Sequence, residues 1–362
     1  MQVIFITSLK SYVTSSSLIN AFKNLNHDVI TLSNFNSTST ENINIVESDF
    51  NISMYINKHK LSPDLVFFCE GGNMKLFPQG LEQIECKTAW YGIDTHMDLE
   101  KHLEIAKFFD VTFLAQKQYI ECFTEKGLNN TFWLPLAFDS SMAPKHKLER
   151  IYDIAYVGST NKDMHPLRFK LIEKLKNEFP NSYFGTASGE EMYKIYSQSK
   201  IVFNKSVNND INMRYFEAMG SGAMLLTDGV INNGMEDIFK KDRHYIEYDE
   251  LNIIDLAKNY LNNSKDESHM LEAFILQNHT YDIRALNVLE IVEKSQKNTK
   301  SLSQIDYAKV YLMLENFLAF LDTVDAVIRQ NIVQNKIKRK VVFLPLTLLL
   351  KVTMFVLKKL EK

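Results

Sequence analysis

A chain of 362 residues, 45% hydrophobic and 23% charged, falls in the globular range and is long enough for two domains of ordinary size. Its net charge of −3 leaves no general nucleic-acid footprint. Three cysteines, Cys69, Cys86 and Cys122, are odd in number and lack CxxC spacing, which excludes a disulfide scaffold and a zinc site and fits a reducing cytosol.

The first residues, MQVIFITSLK, lack the basic start, long apolar core and cleavage site of a signal peptide, so QVIFIT is expected to be a buried strand. SSSLINAFKNLN follows, with serines for an N-cap and Leu18, Ile19, Phe22 and Leu25 at helical spacing. HDVITLS is the next strand, Asn34–Asn44 a polar loop and Ile45–His59 a helix. DLVFFCE is a continuous apolar run of the parallel-strand kind. TAWYGIDTH, DVTFLAQ and NTFWLPLAFD continue the series, so residues 1–145 are read as a Rossmann-like domain. Residues 139–150 are polar and form a linker.

The same grammar then restarts. YDIAYVGST is a strand running into a Gly-Ser turn, and PLRFKLIEKLKNEF is an amphipathic helix with Leu167, Leu171, Ile172 and Leu175 on one side. NSYFGTA is a strand, SGEEMYKIYSQS a helix, and HYIEYD a later strand, with 251–298 mostly helical. Alternation of this kind predicts an α/β fold: two Rossmann-like domains, 1–145 and 151–298, facing across a cleft, with a helical extension over 299–335.

The segment IVFNKSVNNDINMRYFEAMGSGAMLLTD (201–228) carries the most chemistry. It reads as a strand, a polar loop, a helix opening near Asn212, and a Gly220-Ser221-Gly222 return into a second strand. Arg214 and Glu217 are three apart and share a helix face. The helix N-terminus suits a phosphate, and a carboxylate one turn further in suits two ribose hydroxyls. In isolation, Glu217 reads equally as a solvated helix carboxylate. Gly158 and Ser159 end the first strand of the second domain, where ligands of open α/β sheets bind. Glycine there permits close approach to a phosphate, although a plain tight turn explains it too. Lys205 and Arg214 are candidates for a diphosphate, ahead of Arg168, whose amphipathic helix could turn it to solvent. Asn212 is the expected helix cap, and Thr227 and Asp228 are placed to line the pocket, with Asn233 and Gly234 beyond them.

This segment resembles the donor-site motif of GT-B glycosyltransferases, in particular the CgeB-like, spore-maturation-type group. The resemblance spans most of 60–285. It also rests on YGIDTH (91–96), FLAQKQYIECFTEKGLNNTFWLPLAFD (113–139), YDIAYVGS (152–159) and HTYDIR (279–284), in that order. Residues 1–60 match only as a Rossmann start, and nothing beyond 300 is specific. The family pattern, Glu-seven residues-Glu, implies that Glu217 holds the ribose. Its first position, the sugar contact, falls on Asn209, with Asp210 beside it. The resemblance also implies the GT-B fold, a nucleotide-sugar donor on the second domain, same-face (retaining) transfer and no metal or other cofactor. No Asp-x-Asp pair is found. His96 is then placed against the donor sugar, and Asp94 orients it or binds the acceptor. His96, Asp94 and Arg214 are the catalytic candidates. Gly158, Ser159, Lys205, Asn209, Asp210, Asn212, Glu217 and Thr227 are the nucleotide-sugar candidates.

Residues 336–362, KIKRKVVFLPLTLLLKVTMFVLKKLEK, carry eight basic residues against Glu361, a net +7 that leaves the body at −10. Pro345 and Lys351 interrupt the apolar run, which falls short of a clean spanning helix. Basic residues flanking apolar clusters suit an anionic lipid surface, and a terminal helix docked on the body is the alternative. The expected setting is the inner face of a bacterial membrane, with a surface glycan or lipid-linked acceptor. A GT-B nucleotide-sugar epimerase and a non-catalytic binding protein are the competing readings. A dehydrogenase is not expected, since SLKSYVTSSS stands where GxGxxG would follow the first strand.

Overall fold

The computed structural model describes residues 1–9, 14–34, 43–48, 50–71, 76–187, 189–263, 266–297, 308–310, 312, 313 and 317. The tail, 336–362, and most of 299–335 lie outside the described residues. The first half forms a seven-stranded sheet from β1 (Gln2–Ile6), β2 (Asp28–Ser33), β3 (Ile43–Ile45), β4 (Leu65–Cys69), β5 (Lys87–Gly92), β6 (Val111–Leu114) and β7 (Thr131–Trp133). Their order is β3-β2-β1-β4-β5-β6-β7, with every pair parallel. The second sheet holds β8 (Tyr152–Val157), β9 (Tyr183–Gly185), β10 (Ser199–Phe203), β11 (Met224–Asp228) and β12 (Tyr245–Tyr248). It too is parallel throughout, in the order β12-β11-β10-β8-β9. This is the α/β architecture read from the sequence.

A sheet covered on both faces needs apolar residues at every strand position. In β1, Val3 and Phe5 enter one core cluster, while Ile4 and Ile6 enter the cluster on the opposite face. In β4, Leu65, Phe67 and Cys69 alternate with Val66 and Phe68 in the same way. That alternation is the two-residue period of a strand. The three cysteines are free, Cys69 buried and Cys86 and Cys122 half-buried.

Helices α1 (Thr14–Asn24), α2 (Ile52–His59), α3 (Leu99–Ala106) and α4 (Ile120–Glu125) belong to the first half. The second half adds α5 (Pro166–Glu178), α6 (Glu190–Ser197), α7 (Met213–Gly220), α8 (Met235–Ile238), α9 (Ile253–Asn263), α10 (Ser268–Asn278) and α11 (Tyr281–Lys294). Two expectations are corrected. Ile43–Ile45, split between the expected polar loop and the expected helix, is instead an edge strand paired with β2. The helix read from Ile45 begins only at Ile52, where Asn51 caps it by accepting from the Met54 amide.

The two halves are stitched at several points. The Phe138 amide donates to His279 and the Tyr281 amide to Phe138. Arg284, buried on α11, donates to the carbonyls of Pro135 and Leu136. Beyond α11, Ala308 is buried against the first sheet's second core cluster and Lys309 pairs with Glu82 at 3.0 Å. Strand order reverses between β1 and β4 and between β8 and β10, and the crevices beyond such reversals are where open parallel sheets bind ligands.

Candidate active site

The donor side is assembled around α7. Asn212 caps the helix, its Oδ1 accepting from the Arg214 amide at 3.0 Å. Its Nδ2 donates to Asn204, which is fully buried one residue past β10. Asn204 in turn accepts from Arg214 at 2.8 Å and donates to Thr227 Oγ1 at 3.0 Å. Thr227 also meets the Tyr215 hydroxyl at 2.9 Å. The ends of β10 and β11 and the start of α7 are thus locked by one buried polar network. Asn204 was missed in the sequence, because an asparagine after an apolar strand reads as ordinary loop chemistry.

Glu217 is 7% exposed, and among the described residues nothing donates a hydrogen bond to its carboxylate. Burial pushes it up to about 7, with Arg214 opposing. It is therefore not a solvated surface carboxylate. The tyrosines whose hydroxyls feel its charge, Tyr193, Tyr196 and Tyr281, come from α6 and α11. A buried, unpartnered acid costs stability unless something donates to it, and ribose hydroxyls are the right donors.

The cations near β8 divide into used and available. Arg214 donates to the Tyr196 hydroxyl at 3.1 Å, to Asn204 and to the Val157 carbonyl at 2.8 Å, and lies 4.6 Å above the Tyr156 ring. Lys205 is paired with Asp228 at 2.8 Å. Arg168, ranked behind Lys205 and Arg214 because its amphipathic helix could turn it to solvent, is only 9% exposed. It donates from one terminal nitrogen to the Lys205 carbonyl, and its Nε is buried without a partner. Burial lowers its pKa, which an approaching anion would reverse. Arg168 is therefore the basic group with a donor to spare. Gly158 has φ +151°, and a Cβ there would stand 2.9 Å from the Tyr156 hydroxyl and 3.0 Å from Arg214. Ser159 is exposed beside it, and its hydroxyl accepts from the Asn161 amide at 3.3 Å.

Asn209 and Asp210 face different ways. Both amide atoms of Asn209 are taken by Ile231, whose amide donates at 2.9 Å and whose carbonyl accepts at 2.5 Å. It sits at φ 62°, which an asparagine tolerates in a tight loop. Asn233 donates back to the Asn209 carbonyl. Asp210 is 9% exposed and turns toward the first domain, accepting from Gln116 at 3.2 Å. Burial raises its carboxyl; Gln116 and His96 oppose that and Asp94 adds to it.

Asp94 and His96 follow β5 on a turn held from two strands. Glu70, at the end of β4, accepts from the amides of Ile93 at 2.5 Å and Asp94 at 3.0 Å, and faces His102 at 3.4 Å. These donors outweigh burial and hold the Glu70 carboxyl below its usual range. His102 also meets Thr95 at 3.1 Å. Asp94 is exposed at the edge of the turn, raised by desolvation and then by Glu70. His96 keeps a buried Nδ1 without a partner. The structure thus brings His96, Asp94 and Asp210 together and leaves Asn209 outside the group. Glu70 and Gln116 went unnoticed in the sequence, where each merely ends an apolar run.

Among the described residues, no three His, Cys, Asp or Glu side chains converge as a metal site. A cavity of about 570 Å³, lined by Asp110, Asn130 and Lys294 among others, opens at the opposite end of β6 and β7 and shares no residue with this group.

Residues 147–290 match the sequence family described as glycosyl transferase-like. A comparison with curated proteins gives no significant match. Among solved structures, an alpha-glucosyltransferase in complex with UDP and DNA aligns at 13% identity and TM-score 0.58, covering 81% of this chain and 100% of its own. Sucrose-phosphate synthase from Thermosynechococcus elongatus aligns at 11% identity and TM-score 0.56, covering 81% and 99%. A putative UDP-N-acetylglucosamine 2-epimerase from Listeria monocytogenes aligns at 14% and 0.52, covering 81% and 95%. At such identities the likeness is one of fold, and that fold is GT-B. The glycosyl transferase-like match falls on the second sheet and its helices, and the cleft they form with the first Rossmann-like sheet is the candidate active site.

Proposed function

We propose that the protein is a retaining, metal-independent glycosyltransferase that moves a sugar from a nucleotide-sugar donor to a surface glycan or lipid-linked acceptor. The observation that carries the donor site is Glu217, a buried carboxylate with no donor of its own, on the helix whose capped start lies beside Arg168 and Lys205. Ribose hydroxyls would satisfy Glu217, and the diphosphate would satisfy the idle Nε of Arg168. In the transfer, the bond from the anomeric carbon to the phosphate oxygen breaks. The acceptor oxygen forms the new bond on the same face, and its proton passes to the leaving phosphate. The protein's part is then positioning and electrostatics, with His96 and Asp210 lining the sugar's place and Asp94 at its acceptor side.

The test is thermal stabilisation of the full chain by a panel of nucleoside diphosphates and nucleotide sugars, with magnesium and with chelator. UDP heads the panel, since a structure of this fold holds it. One nucleotide is expected to raise Tm equally in both conditions; at 100 times its Kd the gain is about 2.7 kcal/mol. A shift that appears only with magnesium overturns the metal-independent part.

We further propose that residues 336–362 bring the enzyme to the cytoplasmic face of an anionic membrane. Support comes from the net +7 of the segment and its flanked apolar clusters. Among the described residues no helix is long and apolar enough to cross a membrane. Deleting 336–362 is expected to abolish co-sedimentation with vesicles containing phosphatidylserine. Undiminished sedimentation of the deleted chain overturns the assignment.

A further inference from the structure

Gln116 lies two residues past β6, 3% exposed, between the two halves of the molecule. Its Oε1 accepts from the Thr95 amide at 3.2 Å. Its Nε2 donates to the Ile93 carbonyl and, at 3.2 Å, to Oδ1 of Asp210 on the opposite domain. One side-chain amide therefore holds the backbone on either side of Asp94, in the turn that leads to His96, and also grips the loop leading into α7. On the first-domain side Glu70 holds the same turn through the Ile93 and Asp94 amides but makes no bond across the cleft.

The loop that Gln116 reaches is itself rigid. Asn208 and Asn209 adopt left-handed backbone, the Asp210 amide donates to the Val207 carbonyl, and Asn209 is pinned to Ile231. Asp210 stands two residues before the Asn212 cap and seven before Glu217. The only polar atom through which Asp210 is hydrogen-bonded to the 93–96 turn in the described residues is Gln116 Nε2. Two adjacent loops joined by a buried amide have few independent motions, because breaking either bond strands a buried donor or acceptor.

We propose that Gln116 is a positioning residue that couples the donor-side loop 207–210 to the turn carrying His96, so that donor binding sets the acceptor-side geometry. This rests on the donor-site reading above. It needs no contact between Gln116 and substrate. The groups facing Asp210 are His96 and Asp94 from the turn, Tyr91 from β5, Tyr119 beyond β6 and Tyr215 from α7, so the amide bridge lies within a charged and polar enclosure.

The test is hydrogen–deuterium exchange of the full chain, read in peptides covering 91–97 and 207–211. Without ligand, Gln116→Ala is expected to speed exchange about tenfold in both peptides, whereas Glu70→Gln speeds only 91–97. Gln116→Glu is expected to recover part of the wild-type protection at acidic pH, where the acid keeps the acceptor and one donor of the two that the amide uses. It should match Gln116→Ala at alkaline pH, where the carboxylate faces Asp210; that pH-dependent rescue is not the mark of a merely structural side chain. With saturating UDP, or whichever diphosphate stabilises the protein, wild type gains protection at 91–97 and Gln116→Ala does not, at unchanged nucleotide Kd. Exchange in Gln116→Ala that changes at 91–97 alone, or nucleotide protection that survives the substitution, overturns the coupling. If no diphosphate binds, the donor-site reading falls separately, and the ligand-free comparison still decides whether Gln116 bridges the two loops.

Discussion

Replacing Glu217 by alanine is expected to remove nucleotide-induced stabilisation almost completely while leaving the ligand-free protein folded. The carboxylate has no hydrogen-bond donor of its own among the described residues, so nothing in the fold loses a partner when it goes. Two ribose hydroxyls donating to a charged, buried acceptor are together worth about 3 kcal/mol or more, an affinity loss of about 100-fold at least. Calorimetric titration with the stabilising diphosphate checks this. A Kd within about threefold of wild type would mean that the ribose is held elsewhere.

The same residue sets a pH signature. Its folded pKa is raised to about 7 against an ordinary glutamate value near 4.5, because burial disfavours the charge. In the ligand-free state the native form therefore holds its proton more tightly than the unfolded form. Its contribution to stability is full below pH 4.5 and is lost as pH rises through 7. Binding has the opposite sign. Ribose hydroxyls favour the carboxylate, so nucleotide affinity rises from pH 5 to about 7, with release of a proton, and then levels off. Glu217→Gln should flatten both slopes together.

How much of this could be read from the chain alone is seen by comparing particular segments. The parallel sheets were legible because strands buried on both faces are unbroken apolar runs, as in LVFFC. The cap of α7 at Asn212 was legible because asparagine before a periodic apolar stretch has one common use. The short edge strand β3 was not, since an INI triplet in polar surroundings has no period to detect. Nor was the division of labour at the site. Spacing puts Asn209 at the expected sugar-contact position, but left-handed backbone there spends its side chain on Ile231 and turns the next residue, Asp210, toward His96. Likewise no pattern distinguishes a buried Arg168 from a solvated one on an amphipathic helix; only packing against Tyr156 and the β10 loop does. Contacts between segments distant in the chain, such as Glu70 with Ile93 or Gln116 with Asp210, leave no trace in local sequence.

Arg214 is the residue whose expected role changes most, and its loss is predicted to weaken the fold as well as the site. From the sequence it was a free cation for a diphosphate. In the structure its guanidinium joins α6 through Tyr196, β8 through the Val157 carbonyl and the β10 exit through Asn204, over the face of Tyr156. Arg214→Ala removes three hydrogen bonds from a charged donor and strands buried acceptors beneath the Gly158 turn, which should cost about 3–5 kcal/mol. Arg214→Lys keeps the charge but not the fork, and should recover less than half of that. The decisive comparison is with Arg168→Ala. Its Nε has no partner to lose and its contacts are the Lys205 carbonyl and Tyr156, so it should melt closer to wild type than Arg214→Ala while binding nucleoside diphosphate about tenfold or more weakly. Measuring Tm without ligand and diphosphate Kd for both variants separates the two duties. If Arg214→Ala melts like wild type and loses only affinity, the guanidinium is a ligand group after all, and its three protein contacts must break when the donor binds.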